Sequence, residues 1–300
     1  MVSAVDNTVN YNYQDLKGGG FKALMGSLAA PVAILPISTM LSDKMCNIQN
    51  FSNEDILQIK NAAKQILDKH GLTAKGVTIK YLPEIEPPKD LIGKLMSKVN
   101  VIDSVKQGKN AFFTPKDVFG MDLLFGGKIK ILDKNTICMP ENKIQGSVLH
   151  EIGHAHSFNK GGFLKLLQKV RPVAIYLPVL LTLYGAFSKK SKPTGENQEL
   201  TKKQKANNFI RDNAGILSFI SMLPILAEEA AATIKGKNFA KEFLSKDIIK
   251  KATKANWLGF SSYVLAAVAS AIGAAVAVKI KDKAIEKKEE KLKKQLEVIA

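Results

Sequence analysis

Cysteine, histidine, arginine and tryptophan are all scarce in this chain of 300 residues. There are two cysteines, four histidines and one tryptophan, and the only arginines are Arg171 and Arg211. Cys46 and Cys138 are far apart and form no C-x-x-C pair, which speaks against a disulfide scaffold and against a thiolate metal site. Cys138, inside NTICMPEN, reads as a small apolar residue of a strand. With arginine so rare, lysines dispersed, and no RNP-like, helix-turn-helix or finger pattern, no nucleic-acid partner is expected. Acid is short too: 27 Asp and Glu stand against 44 Lys and Arg, a formal charge of +17. Such an excess suits an anionic partner such as an acidic membrane surface, and it equally describes solvated lysine faces. No cleavable signal peptide is expected. The first apolar run begins near Ala23, after DLKGGGFK, and no A-x-A signal follows, so a run that enters a membrane would stay there as an anchor. No internal repeat is visible.

Long uncharged runs, by contrast, are plentiful. Residues 23–42 carry no charge and are long enough for a bilayer, which needs roughly 20 apolar residues. Pro31 and Pro36 would kink this run, so a packed or interfacial helix competes with a span. Residues 173–187 and 213–227 are shorter and suit tilted, re-entrant or buried helices. Residues 255–278 form the longest uncharged stretch, rich in small residues, and are the strongest transmembrane candidate. Beyond them lies a charged helix with many i,i+4 Glu–Lys pairs. Residues 52–70 read as an amphipathic helix capped by Ser52 or Asn53 and stopped by Gly71. GVTIKYLP alternates as a strand. Residues 84–109 read as a loop and a basic helix. GKIKILDKNTICMP reads as two strands around a turn, and residues 144–158 as a helix. The expectation is an α+β fold, mainly helical, with a small β-sheet beside that last helix and several membrane-associated apolar helices. If all four apolar runs cross, lysine lies on both sides, so charge asymmetry leaves the orientation open.

The helix of residues 144–158 holds the sequence HEIGH. His150 and His154 are one turn apart and share a face. Two imidazoles at that spacing can hold one zinc ion, and Glu151 beside them is placed to take a proton from an activated water. Three of the four histidines, His150, His154 and His156, crowd into this helix. The alternative is a helix whose histidines only hydrogen-bond inside a core. His156 points roughly opposite the metal face and reads as a surface or supporting residue. A catalytic zinc needs a third protein ligand and an open position. The pattern H-E-x-x-H-x-x-G-x-x-H is excluded, because Ser157 stands at its glycine and Lys160 at its third histidine. A carboxylate from a later helix remains. LPILAEEAAATIKG offers Glu228 and Glu229 at the end of an apolar run, where unpaired charge is costly. The alternative is a pair that caps a helix or meets solvent at a membrane surface.

VLHEIGHA, a downstream EEAAAT and the apolar helices between them resemble the membrane zinc metallopeptidases of the HtpX and CAAX-prenyl-protease type. NAFF, at residues 110–113, is similar to the N-A-F segment that precedes the strand pair and active-site helix in that family. The family's later motif is E-x-x-A-D. Glu229 and Ala232 match its glutamate and alanine, and Thr233 stands where its aspartate is expected. The resemblance implies a zincin-like active-site helix, Zn2+ held by His150, His154 and Glu229, and Glu151 as general base. It also implies an endopeptidase acting on membrane or misfolded proteins, with a protein or peptide substrate bound along a strand edge. By position, NTICMPEN would supply that edge. The expected organisation is a polar N-terminus and anchor-like helix at 1–50, the zincin-like part at 51–170, an apolar hairpin and third-ligand helix at 171–256, and an apolar helix with a charged tail at 257–300. A different reading of the same chain is a non-enzymatic, basic, membrane-associated helical protein with a degenerate HExxH.

Overall fold

The computed structural model describes residues 19–86, 101–115, 135–193 and 199–299. The strand expected at 127–132 and most of the basic segment 84–109 lie outside these residues. The order of elements is α1 (Ala29–Ile48), α2 (Asn53–Lys69), β1 (Thr78–Leu82), α3 (Val101–Lys106), β2 (Phe112–Thr114), β3 (Thr136–Pro140), α4 (Ser147–Lys160), α5 (Phe163–Phe187), α6 (Lys202–Asp212), α7 (Ala214–Ala240) and α8 (Lys246–Ile299). The fold is mainly helical with one small sheet, in line with the α+β expectation. The apolar run 255–278 and the charged tail are a single helix, α8. No proline or glycine falls between Val278 and Ile299 to separate them.

By their internal contacts the residues group into two compact units, each built from separate stretches of chain. One comprises residues 1–35, 174–223 and 265–300; the other comprises residues 36–173 and 224–264. Within the first, alanines are the packing residues: Ala23, Ala186 and Ala277 form one buried cluster, and Ala214 and Ala274 join Val278 in another. Small side chains let helix backbones approach closely where lipid supplies no hydrophobic drive.

The second unit carries the sheet. Its order is β1-β3-β2, with β1 and β3 parallel and β2 and β3 antiparallel. Every residue of β3 is buried, as expected of a strand covered on both sides. One expectation is corrected here. β3, the strand of NTICMPEN, is the central strand, so it has no edge to offer a peptide. Its parallel partner lies far upstream, with Thr78 opposite Thr136.

α2 is started by a capping box, Ser52 accepting from the Asp55 amide and Asp55 from the Ser52 amide. Its apolar stripe, Ile59, Ala62, Ala63, Ile66 and Leu67, enters one core with Ile137 and Met139 of β3 and Val148, Leu149 and Ile152 of α4. α4 is thus clamped between sheet and helix. The turn before it is held by Gln145, whose side-chain amide donates to the Pro140 carbonyl at 2.8 Å, and by Gln49, which donates to Ser147 Oγ at 2.9 Å.

Among the described residues, four helical stretches are long and apolar enough to cross a membrane: Gly19–Ile48, Phe163–Phe187, Ala214–Ala240 and Lys246–Val298. Many of their apolar side chains face outward. Val173, Val179 and Leu180 on α5 and Ile216 and Ile220 on α7 are all more than half exposed. Contiguous exposed apolar surface of this kind marks a membrane or partner contact.

Candidate metal centre

The residues singled out by sequence converge in the second unit. α4 presents His150, Glu151 and His154; α7 presents Glu228, Glu229 and Thr233; α5 adds Gln168 and Arg171. What allows α4 and α7 to meet is glycine. A Cβ on Gly153 would lie 2.2 Å from the Ala232 carbonyl oxygen, and a Cβ on Gly236 would lie 2.2 Å from that of Leu149. Each helix therefore brings a glycine to the other's backbone, and the histidine face of one is pressed on the carboxylate face of the other.

His150 Nε2 and His154 Nε2 are 2.9 Å apart. Glu229 Oε2 lies 3.1 Å from the first and 3.6 Å from the second. These three atoms form a compact triangle of two imidazole nitrogens and one carboxylate oxygen. The remaining ring nitrogens face away from it, each to a partner of its own. His150 Nδ1 is 2.9 Å from Thr233 Oγ1, and His154 Nδ1 meets Glu228 Oε1. Glu228 Oε1 also accepts from the Gln168 side-chain amide at 2.5 Å.

No family model, curated protein or solved structure matches this chain.

The site's own chemistry is therefore what describes it. Glu151, His154, Glu228 and Glu229 are buried, and His150 is nearly so. Clusters of His150, Glu151 and His154, and of His154, Glu228 and Glu229, are each tight enough to hold a metal ion. So many buried acids are expensive to keep unless a cation compensates them. Burial raises the Glu151 carboxyl above its ordinary pKa, with His154 and His150 pulling the other way. At His154 burial works against the charged ring, but the Glu228 and Glu229 carboxylates outweigh it and hold the imidazole protonated well above its usual range. A metal at Nε2 must displace that proton.

A cavity of about 70 Å³ opens beside the triangle, with His150, Glu151 and Glu229 on one wall and Asn110, Ala111 and Tyr263 among its other lining residues. Ile144, also in its wall, has φ +46°, a left-handed conformation that a β-branched residue rarely adopts. Strained backbone of this sort collects at functional sites.

His156 is directed elsewhere. Its ring packs on His70 and Phe239, with centroids 5.5 and 4.9 Å away, and burial followed by the nearby Lys235 pushes its pKa down to about 4. Cys46 and Cys138 are free thiols and belong to no metal-binding cluster among the described residues.

Arg171 is the residue that sequence reasoning missed. Its Nη1 donates to Glu228 Oε2 at 2.8 Å and its Nη2 to Glu229 Oε1 at 2.6 Å. The signal available was its rarity: one of only two arginines, at the start of an apolar run where a charge needs a partner.

Proposed function

We propose that this protein is a zinc-dependent endopeptidase associated with a membrane. The observation that carries the reading is the triangle of His150 Nε2, His154 Nε2 and Glu229 Oε2 with the buried Glu151 beside it. In a tetrahedral zinc site with bonds of about 2.0–2.2 Å, ligand atoms stand roughly 3.3–3.5 Å apart. The three edges here, 2.9, 3.1 and 3.6 Å, bracket that spacing. Two imidazoles and one carboxylate are also a donor set used by catalytic zinc, with a fourth position left open. Glu228 fits a supporting role better than a ligand's, because it holds the nitrogen of His154 that faces away from the triangle. Carboxylate or hydroxyl partners on the outer nitrogens of histidine ligands orient the rings and raise their basicity, and Glu228 and Thr233 both stand where that is done.

When bound, zinc would polarise a substrate carbonyl and acidify a water. Glu151 takes the proton of the water as it attacks the scissile carbonyl carbon, and passes it to the amine as the C–N bond breaks. Burial raises the Glu151 carboxyl above its ordinary pKa, which makes it a stronger base than an exposed carboxylate. Asn110 and Ala111, which lead into β2 and line the cavity, are the backbone best placed to align a peptide, in place of the central strand β3. The four apolar helices support a membrane location, and the resemblance to HtpX-type peptidases supports membrane or misfolded proteins as substrates.

The test is elemental analysis of the full-length protein purified in detergent, paired with cleavage of an unfolded protein substrate. About one zinc per chain is expected in the wild type, background zinc in His150→Ala, and retained zinc without cleavage in Glu151→Gln. Equal trace zinc in the wild type and His150→Ala sinks the reading in favour of a non-enzymatic membrane protein.

A further inference from the structure

Each of the twin carboxylates is split between two sides. The inner oxygens, Glu228 Oε1 and Glu229 Oε2, face the histidines, and the outer oxygens, Glu228 Oε2 and Glu229 Oε1, both bind Arg171. Arg171 is itself held in place. Its Nη2 also donates to the Tyr263 hydroxyl at 3.3 Å, and the guanidinium lies 5.6 Å from the centre of that ring. The fork is thus fixed at three points, and its planar guanidinium gives each carboxylate a separate nitrogen in a rigid geometry, whereas a lysine ammonium is a single point charge on a flexible stem.

A glutamate near a metal can bind through one oxygen or two. Here the second oxygen of Glu229 is occupied by a short, charge-assisted hydrogen bond from Arg171. From this we propose that Arg171 is a positioning residue that makes Glu229 a one-oxygen ligand, and so fixes the metal centre as four-coordinate with one open position. The inference rests on the metal-site reading above and adds to it the origin of metal selectivity. A centre restricted to three protein atoms suits zinc, whereas freeing the second carboxylate oxygen would suit oxygen-seeking, higher-coordinate ions such as Mn2+.

The experiment loads full-length protein, stripped of metal by a chelator, with Co2+ and records its visible spectrum. It then measures Zn2+ and Mn2+ affinities by competition. Wild type should give the intense bands of four-coordinate cobalt. Arg171→Lys should give bands several-fold weaker, as five- or six-coordinate cobalt does, with zinc affinity reduced about 10- to 100-fold and the preference for zinc over Mn2+ narrowed. Glu228→Gln, which loosens one prong but leaves Arg171 on Glu229, should weaken zinc binding while keeping the four-coordinate spectrum. A wild-type spectrum and affinity in Arg171→Lys would overturn the proposal, as would an equal spectral change in Glu228→Gln. X-ray absorption of the zinc-loaded wild type gives a check that needs no variant: both Glu229 oxygens in the coordination shell would also overturn it. Wild type that takes up neither cobalt nor zinc would instead defeat the metal-site reading itself, and this proposal with it.

Discussion

The chain's two arginines are both ion-paired, and the difference between their surroundings shows what separates a lock from a site. In one compact unit Arg211 is 1% exposed; it pairs with Asp282 of α8 and donates to the carbonyl and hydroxyl of Ser188. One guanidinium meets one carboxylate, and Asp282 is a third exposed. In the other unit Arg171 meets two carboxylates, and each of these keeps an oxygen for a histidine. The first arrangement sets one cation on one anion. The second turns three ligand atoms towards one point, beside a cavity. A buried ion pair is weak evidence of function; a buried excess of ligands is stronger.

Perturbing the two places should separate them. The largest effect is expected where backbones touch. Gly153→Ala forces a methyl group into the Ala232 carbonyl, which must push α4 off α7 and cost about 1–3 kcal/mol or more. Metal binding should be lost along with thermal stability, as read by elemental analysis and by melting in detergent. Arg211→Met should lower the melting temperature as well, yet leave one zinc per chain. Loss of zinc in Arg211→Met would dissolve the distinction drawn between the two arginines. A smaller effect is expected at Thr233→Val, which keeps shape but removes the hydroxyl from His150 Nδ1. Zinc affinity should fall about tenfold, the lower end for outer partners of metal-binding histidines, with little change in melting. Equal affinity in a competition titration would show that the hydroxyl does not orient the ring.

Much of the candidate site was legible because its parts are local. HEIGH places His150 and His154 on one helical face with Glu151 beside them, and AEEAAAT places Glu229 and Thr233 one turn apart on another helix with Glu228 beside them. Both follow from spacing alone. The long apolar runs were legible for the same reason, since length and absence of charge are properties of a segment. What was not legible depends on pairings across the chain. Arg171 entered only as one of two scarce arginines, because the carboxylates that hold it lie on another helix, more than fifty residues away. Thr233 looked like a departure from the family's aspartate, but its hydroxyl reaches the same histidine nitrogen that an outer carboxylate would serve. β3 was expected to be the edge from its position before the active-site helix, and nothing in β1 or β3 announces that they pair side by side. The separation of α8 into a span and a tail followed composition, whereas helix continuity follows from the lack of a breaker.

Which glutamate completes the triangle is the central question of the site. Zinc content of Glu229→Ala and Glu228→Ala, purified side by side, measures this. The geometry predicts background zinc in Glu229→Ala and most of the wild-type zinc in Glu228→Ala, since only Glu229 turns an oxygen towards both Nε2 atoms. Retention of zinc by Glu229→Ala together with its loss from Glu228→Ala would contradict it.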